Sequence, residues 1–151
     1  MIQRKRWPLV LLIGYSALLA VVLFSPGSGA QSGMVTWLET LLRGMGAPRN
    51  WVTFSRLEII MNAAIVAPVT VLGALILPRW SWRDWTACGF LVALLVELLQ
   101  GLLLPAREAS LRDVVANTAG ALLGALLVSW CGLRTKTARE EPALQEIQER
   151  P

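Results

Sequence analysis

The chain has 151 residues, of which 55% are hydrophobic and only 16% are charged, and its mean hydropathy is +0.56. A soluble domain carries about a quarter charged residues, so this composition predicts a membrane protein with a single domain. Histidine is absent, which excludes a Ser-His-Asp triad, a histidine zinc site and a histidine phosphatase nucleophile within the chain. The net charge is +4, but the basic residues lie between and outside the apolar segments, as topology signals do. We therefore expect no nucleic-acid partner.

The first apolar segment covers residues 7–24 and follows Arg4, Lys5 and Arg6. A signal peptide is the alternative interpretation, because residues 26–30 could form a cleavage region. The segment is longer than the roughly 7–15 apolar residues of a signal peptide, and it reaches the roughly 17–25 that span a bilayer. We expect a first transmembrane helix that is retained in the protein.

A loop of about thirty residues follows, and its middle part, residues 34–43, has the pattern of a short amphipathic helix. Trp37 is suited to the level of the lipid headgroups, so the pattern predicts a helix that lies in the membrane interface. A lid that gates a substrate site is the alternative. The apolar positions at helical spacing are Val35, Leu38, Leu41 and Leu42.

Three more apolar segments, at about residues 57–77, 85–104 and 111–131, complete the predicted fold, an all-α bundle of four transmembrane helices. The membrane domain then covers residues 1–133. Residues 134–151 form a tail of alternating charge, which we expect to be solvated and disordered on the cytoplasmic side.

Four spans place both termini on the same side of the membrane, and the basic residues indicate which side. Nine of the 14 lysines and arginines lie on the side of the termini, so the termini are predicted to be cytoplasmic. Cys88 and Cys131 fall near that cytoplasmic face, and two cysteines are too few for a disulfide framework.

This topology brings polar residues of three spans to a similar depth near the outer interface. With a rise of about 1.5 Å per residue, they lie within roughly 10 Å of that interface or slightly deeper. Ionisable residues inside spans usually mark a functional site. The residues concerned are Glu58, Asn62, Glu97, Gln100, Asp113 and Asn117.

The fourth span carries Asp113, Asn117, Gly120 and Gly124 on one stripe, because they are spaced four, three and four residues apart. The glycine pair predicts a seam where another helix approaches closely. Ser110 is predicted to cap this helix, with Asp113 in its first turn. We also expect arginines of the preceding turn and of the helix start to reach inward and pair with Glu97 or Asp113; these are Arg107 and Arg112.

The pattern E-x2-Q-x6-R-x2-S-x2-D-x3-N-x2-G-x3-G, which starts at Glu97 and ends at Gly124, resembles the VanZ-like family of bacterial membrane proteins. Asn62 and Pro68 resemble the N-x5-P segment of that family, whereas the long first loop and the lack of histidine depart from many relatives. The resemblance implies a small multi-pass protein of the bacterial cytoplasmic membrane. It also implies a role in the cell envelope, because the member that gives the family its name is associated with reduced susceptibility to the glycopeptide teicoplanin.

Three functions remain open. The first is binding of an envelope headgroup or lipoglycopeptide on the outer face, with membrane lipids as neighbours and no cofactor or metal. The second is a scaffold in which the polar cluster only fixes helix packing, and a homo-oligomer or transport path would then use the Gly120–Gly124 seam. The third is an enzyme acting on a lipid-linked substrate, with Glu97 and Asp113 as the acid and base. The predicted ligand-binding residues are Asn62, Glu97, Gln100, Arg107, Ser110, Arg112, Asp113 and Asn117.

Overall fold

The computed structural model describes residues 6–24, 29–104 and 110–131. Within these residues the chain is entirely helical apart from turns and connections. The predicted charged tail and Arg107 lie outside the described residues. The helices are α1 (Arg6–Leu23), α2 (Gly29–Gly44), α3 (Phe54–Ile76), α4 (Trp82–Leu103) and α5 (Leu111–Trp130).

Four of these helices, α1, α3, α4 and α5, are long and apolar enough to cross a membrane. They contain 18 to 23 residues, which corresponds to about 27–35 Å of helix against a hydrocarbon core of about 30 Å. Their starts and ends fall within three residues of the predicted spans. The prediction of an all-helical chain with four long apolar helices, each able to cross a membrane, is therefore confirmed.

The centre of the bundle is formed by α3 and α5, which run parallel, with α4 antiparallel to both. Fully buried positions here carry small side chains, including Ala74, Ala121 and Ala125. Small side chains let helix backbones approach closely, and this close packing substitutes for the hydrophobic driving force that is missing inside a lipid bilayer. At the edge, α1 packs on α3, where the Tyr15 hydroxyl donates to the Ile65 carbonyl oxygen at 2.9 Å.

The turn before α4 is fixed by a capping box. The Ser81 hydroxyl accepts a hydrogen bond from the Asp84 backbone N–H, while the Asp84 carboxylate accepts one from the Ser81 backbone N–H. Both bonds satisfy donors that a helix start leaves without a partner. The start of α4 therefore lies at Trp82, three residues before the predicted boundary.

The helix α2 is present but longer than the predicted segment at residues 34–43. It ends in a Schellman motif, in which Gly46 has a φ of 89° and the Ala47 N–H donates to the Leu42 carbonyl oxygen at 3.0 Å. One side of α2 packs on the start of α3 through Val35, which lies against Val52 and Leu57. The location of α2 in a membrane interface stays a prediction.

Candidate functional site

A cavity of about 230 Å³ lies at one end of the bundle, where α1 and α4 finish and α3 and α5 begin. We call it the end cavity. All four long helices and α2 contribute to its wall. Its polar lining consists of Glu58, Asn62, Glu97, Gln100, Asp113 and Asn117. The six polar residues that the sequence placed at one depth therefore line a single space.

Two side chains on the last turns of α4 form the most deeply buried part of this lining. Glu97 is 6% exposed and Gln100 is 4% exposed. The Glu97 carboxylate accepts a hydrogen bond from the Ser110 backbone N–H at 2.8 Å, at the start of α5. The Gln100 amide donates to the Leu23 carbonyl oxygen at 2.8 Å, at the end of α1. These two residues thus connect α4 to both neighbouring helix ends.

On the opposite wall, α3 and α5 are joined by a hydrogen bond from the Asn62 amide to Asp113 Oδ1 at 2.8 Å. Asn117 lies one turn further along α5, and Glu58 lies one turn before Asn62 on α3. Within the described residues, the side chains of Asn117 and Glu58 make no hydrogen bond with the protein. Their polar atoms are therefore the ones most available to a ligand.

Two of the predicted polar residues take positions that differ from the expected ones. Ser110 is the N-cap residue of α5, but its side chain makes no capping bond, and its backbone N–H donates to Glu97. Arg112 is exposed and donates to Ser55 Oγ at 3.3 Å, outside the lining of the end cavity. The expected inward pairing of Arg112 is therefore not found, and that of Arg107 lies outside the described residues.

The predicted glycine seam lies deeper in the bundle, directly below the end cavity. A β-carbon added to Gly120 would collide with the backbone of Ala63, and one added to Gly124 would lie 2.5 Å from the Ala67 carbonyl oxygen. The seam is therefore occupied by α3 of the same chain. A homo-oligomer or a transport path built on this seam, as the sequence allowed, would have to displace α3.

The apolar part of the end cavity was not foreseen from the sequence. It comes mainly from α1, α2 and α3, and α2 reaches it because the amphipathic side of this helix folds back onto the bundle. The amphipathic pattern of α2 was the available signal, but it does not state where the helix packs. The apolar lining residues are Val22, Leu23, Met34, Val35, Met61, Ile65 and Val96.

The acids of the end cavity are Glu58, Glu97 and Asp113. In the described part of the chain, no group of three or more Asp, Glu, Cys or His side chains is arranged to hold a metal ion. The carboxylates lie on three different helices around the cavity wall. Acidic and amide side chains therefore line the cavity from several sides.

Four long apolar helices with a polar cavity at one end of the bundle are the architecture of a multi-pass membrane protein. The sequence identifies its family. The VanZ/LLP1 family model matches residues 10–132, and the chain belongs to that family. No curated protein and no solved structure matches the sequence.

Proposed function

We propose that this VanZ/LLP1 protein binds the headgroup of a cell-envelope molecule in the end cavity. The observation that carries the proposal is the convergence of polar side chains from three apolar helices on one cavity of about 230 Å³. Polar and ionisable groups are costly inside a membrane, so their collection around a space, and not only at helix contacts, favours a ligand.

The size of the cavity limits what it can enclose. Pockets for drug-sized ligands measure about 300–1,000 Å³, and the end cavity is smaller. A whole lipoglycopeptide exceeds this space, whereas a lipid headgroup or the start of an acyl chain fits. An effect on teicoplanin susceptibility would therefore act through a bound lipid or through the lipid tail of the antibiotic.

Replacing Asn117 with leucine tests the proposal, because this side chain lines the cavity and makes no described hydrogen bond. We expect binding of single-chain phospholipids, with either a glycerol or an ethanolamine headgroup, to fall at least about fivefold, the effect of losing roughly one polar contact. Native mass spectrometry of the purified protein measures this binding. In cells, the same variant should lose any teicoplanin tolerance that expression of the wild-type protein confers.

Asn50→Leu is the matched control, since Asn50 lies in the connection between α2 and α3, outside the end cavity. It should bind both lipids as the wild type does. If the wild-type protein binds neither lipid, or if Asn117→Leu binds both unchanged, the end cavity is not a headgroup site.

A structural role for the same polar residues is the second candidate. It is favoured by the hydrogen bonds that Glu97, Gln100 and Asn62 make to other helices or helix ends. Such bonds hold transmembrane helices together, with an average contribution of about 0.6 kcal/mol in measured cases. In that role the chain would be a scaffold, and the cavity would be a by-product of its packing. An enzyme using Glu97 and Asp113 has no comparable observation in its favour.

We further propose that both termini are cytoplasmic and that the end cavity faces the outer leaflet. Cys131 tests this orientation, because it is exposed at the end of α5, opposite the cavity. In a Cys88→Ala background, a membrane-impermeant maleimide should label Cys131 only after the cells are permeabilised. Asn50→Cys, added in a chain that lacks both native cysteines, should be labelled in intact cells. The reverse pattern would mean that the cavity faces the cytoplasm.

A further inference from the structure

The helices contribute different chemistry to the lining of the end cavity. In the described lining, α1 and α2 supply only apolar side chains, such as Val22, whereas α5 supplies the polar Asp113 and Asn117. An apolar wall makes no hydrogen bonds to water, so water alone fills this space poorly. A ligand that suits the whole lining has a hydrocarbon part and a polar part.

These two parts of the lining are ordered along the helix axes. On α3, Ile65 lies deeper in the bundle than Glu58, and on α4, Val96 lies deeper than Gln100. A lipid in a bilayer has the same order, because its headgroup lies at the interface and its chain points toward the bilayer centre. The cavity therefore suits a lipid whose headgroup lies at the end of the bundle and whose chain lies further inside.

The helices α1 and α4 border a cleft that ends at this cavity. α1 packs against α3, but it does not pack along α4. The described hydrogen bond between α1 and α4 runs from the Gln100 amide to the Leu23 carbonyl oxygen, at the cavity end of both helices. Val22 and Val96 line the cavity from these two helices, just inside that bond. A chain lying in the cleft would therefore reach the apolar lining directly.

The cleft and the cavity suit a single acyl chain. Exposed apolar side chains lie beside the cavity on both helices, since Val21 on α1 is 71% exposed and Leu95 on α4 is 56% exposed. Lipid tails are as apolar as such side chains, so a chain of the bilayer is compatible with this surface. The cavity volume of about 230 Å³ is below that of pockets for drug-sized ligands, so it encloses part of one chain and not a pair of chains.

We propose that the end cavity receives one hydrocarbon chain from the bilayer through the cleft between α1 and α4. The chain lies against Val22, Ile65 and Val96, and the headgroup of the same molecule lies beside Asn117. This inference rests on the proposed function, and it adds that the ligand is an amphiphile whose chain, as well as its headgroup, occupies the site.

Phenylalanine at Val22 tests the position of the chain, because the larger side chain fills space that the chain would occupy. By native mass spectrometry, Val22→Phe should bind the glycerol and ethanolamine single-chain phospholipids severalfold more weakly than the wild type. Val21→Phe is the matched control, since Val21 is the preceding residue and lies outside the lining, and it should bind them unchanged. Val96→Phe and Leu95→Phe form a second pair of the same design on α4.

A comparison with the soluble headgroup tests whether the chain is needed. Glycerophosphoethanolamine is the ethanolamine lipid without its acyl chain, and it should neither bind the wild-type protein as tightly nor displace the lipid at equal concentration. Circular dichroism and thermal unfolding show which of the phenylalanine variants are folded. The headgroup comparison uses only the wild-type protein, so it decides the question even if a variant fails to fold.

The results separate this inference from the proposed function. If folded Val22→Phe and Val96→Phe bind the lipids as their controls do, or if the soluble headgroup binds as tightly as the lipid, the chain does not occupy the cavity while headgroup binding stands. If Val22→Phe weakens binding and Asn117→Leu does not, the chain site stands and the headgroup site fails. If neither lipid binds the wild-type protein, both proposals fail.

Discussion

Alanine at Gly120 should destabilise the protein strongly, by about 3 kcal/mol, although alanine is the best helix former. The β-carbon of the alanine would collide with the carbonyl group and Cα of Ala63 on α3. Overpacking of a well-filled interior costs about 1–3 kcal/mol, and we expect the upper end because backbone atoms cannot rotate away as a flexible side chain can. For a chain of this size the unfolding midpoint should fall by about 6–12 °C.

Gly14→Ala is the matched control, because it makes the same change in α1 where no atom lies within 4 Å of the added β-carbon. It should leave the midpoint unchanged or raise it slightly, since alanine is favoured over glycine in a helix by about 1 kcal/mol. Thermal unfolding in detergent, followed by circular dichroism, measures both variants. Equal midpoints for Gly14→Ala and Gly120→Ala would show that α3 and α5 do not meet at this seam.

The collision also predicts which second change cannot restore stability. Ala63→Gly removes only a β-carbon from α3, whereas Gly120→Ala meets the backbone of that residue. The double variant should therefore remain as unstable as Gly120→Ala alone. Full recovery would show that the side chain of Ala63 sets the distance between these helices, and not its backbone.

The spans were predictable from the sequence because an uninterrupted apolar run of about twenty residues has few other stable structures. The depth of the polar residues followed from the same spans, since topology and helical rise together fix the depth of each position. The common location of Asn62, Gln100 and Asn117 around one cavity agrees with that calculation.

The rotation of each helix about its axis was not predictable, and the differences at the site follow from it. Arg112 and Asp113 are consecutive on α5, so their side chains point about 100° apart. Asp113 faces the cavity, and Arg112 therefore faces Ser55 on the surface. The sequence indicated that both residues lie at the right depth, but it could not indicate which of them turns inward.

The sequence partly indicated which helix packs against the glycine seam. Ala63 and Ala67 are four residues apart on α3, which is the small-residue spacing that complements Gly120 and Gly124 on α5. Such spacing occurs at several places in apolar helices, so it does not by itself identify the partner. The hydrogen bond between Asn62 and Asp113 fixes the register of α3 and α5 at which the two pairs meet.

Leucine at Glu97 should cost about 2–3 kcal/mol of stability, the second large effect that the structure implies. Glu97 is nearly fully buried, and its carboxylate accepts the Ser110 N–H at the start of α5. Leucine leaves that donor without its acceptor, and an unsatisfied buried polar group costs about 1–3 kcal/mol. Glutamine retains an acceptor oxygen, so Glu97→Gln should lose much less stability. Thermal unfolding of the two variants measures the difference.

The comparison of stability with binding in Glu97→Gln separates the two candidate functions. If the carboxylate belongs to a headgroup site, the folded Glu97→Gln protein should lose affinity for the single-chain phospholipids, because an amide replaces a carboxylate in the lining of the end cavity. If Glu97 only holds α4 to α5, the affinity of the variant for these lipids should equal that of the wild-type protein.

Glu39→Leu provides the control for the loss of stability in Glu97→Leu, since Glu39 forms an ion pair with Arg43 on α2, and such pairs contribute at most about 1 kcal/mol. If Glu39→Leu loses as much stability as Glu97→Leu, the burial of Glu97 at the cavity does not increase its contribution to stability.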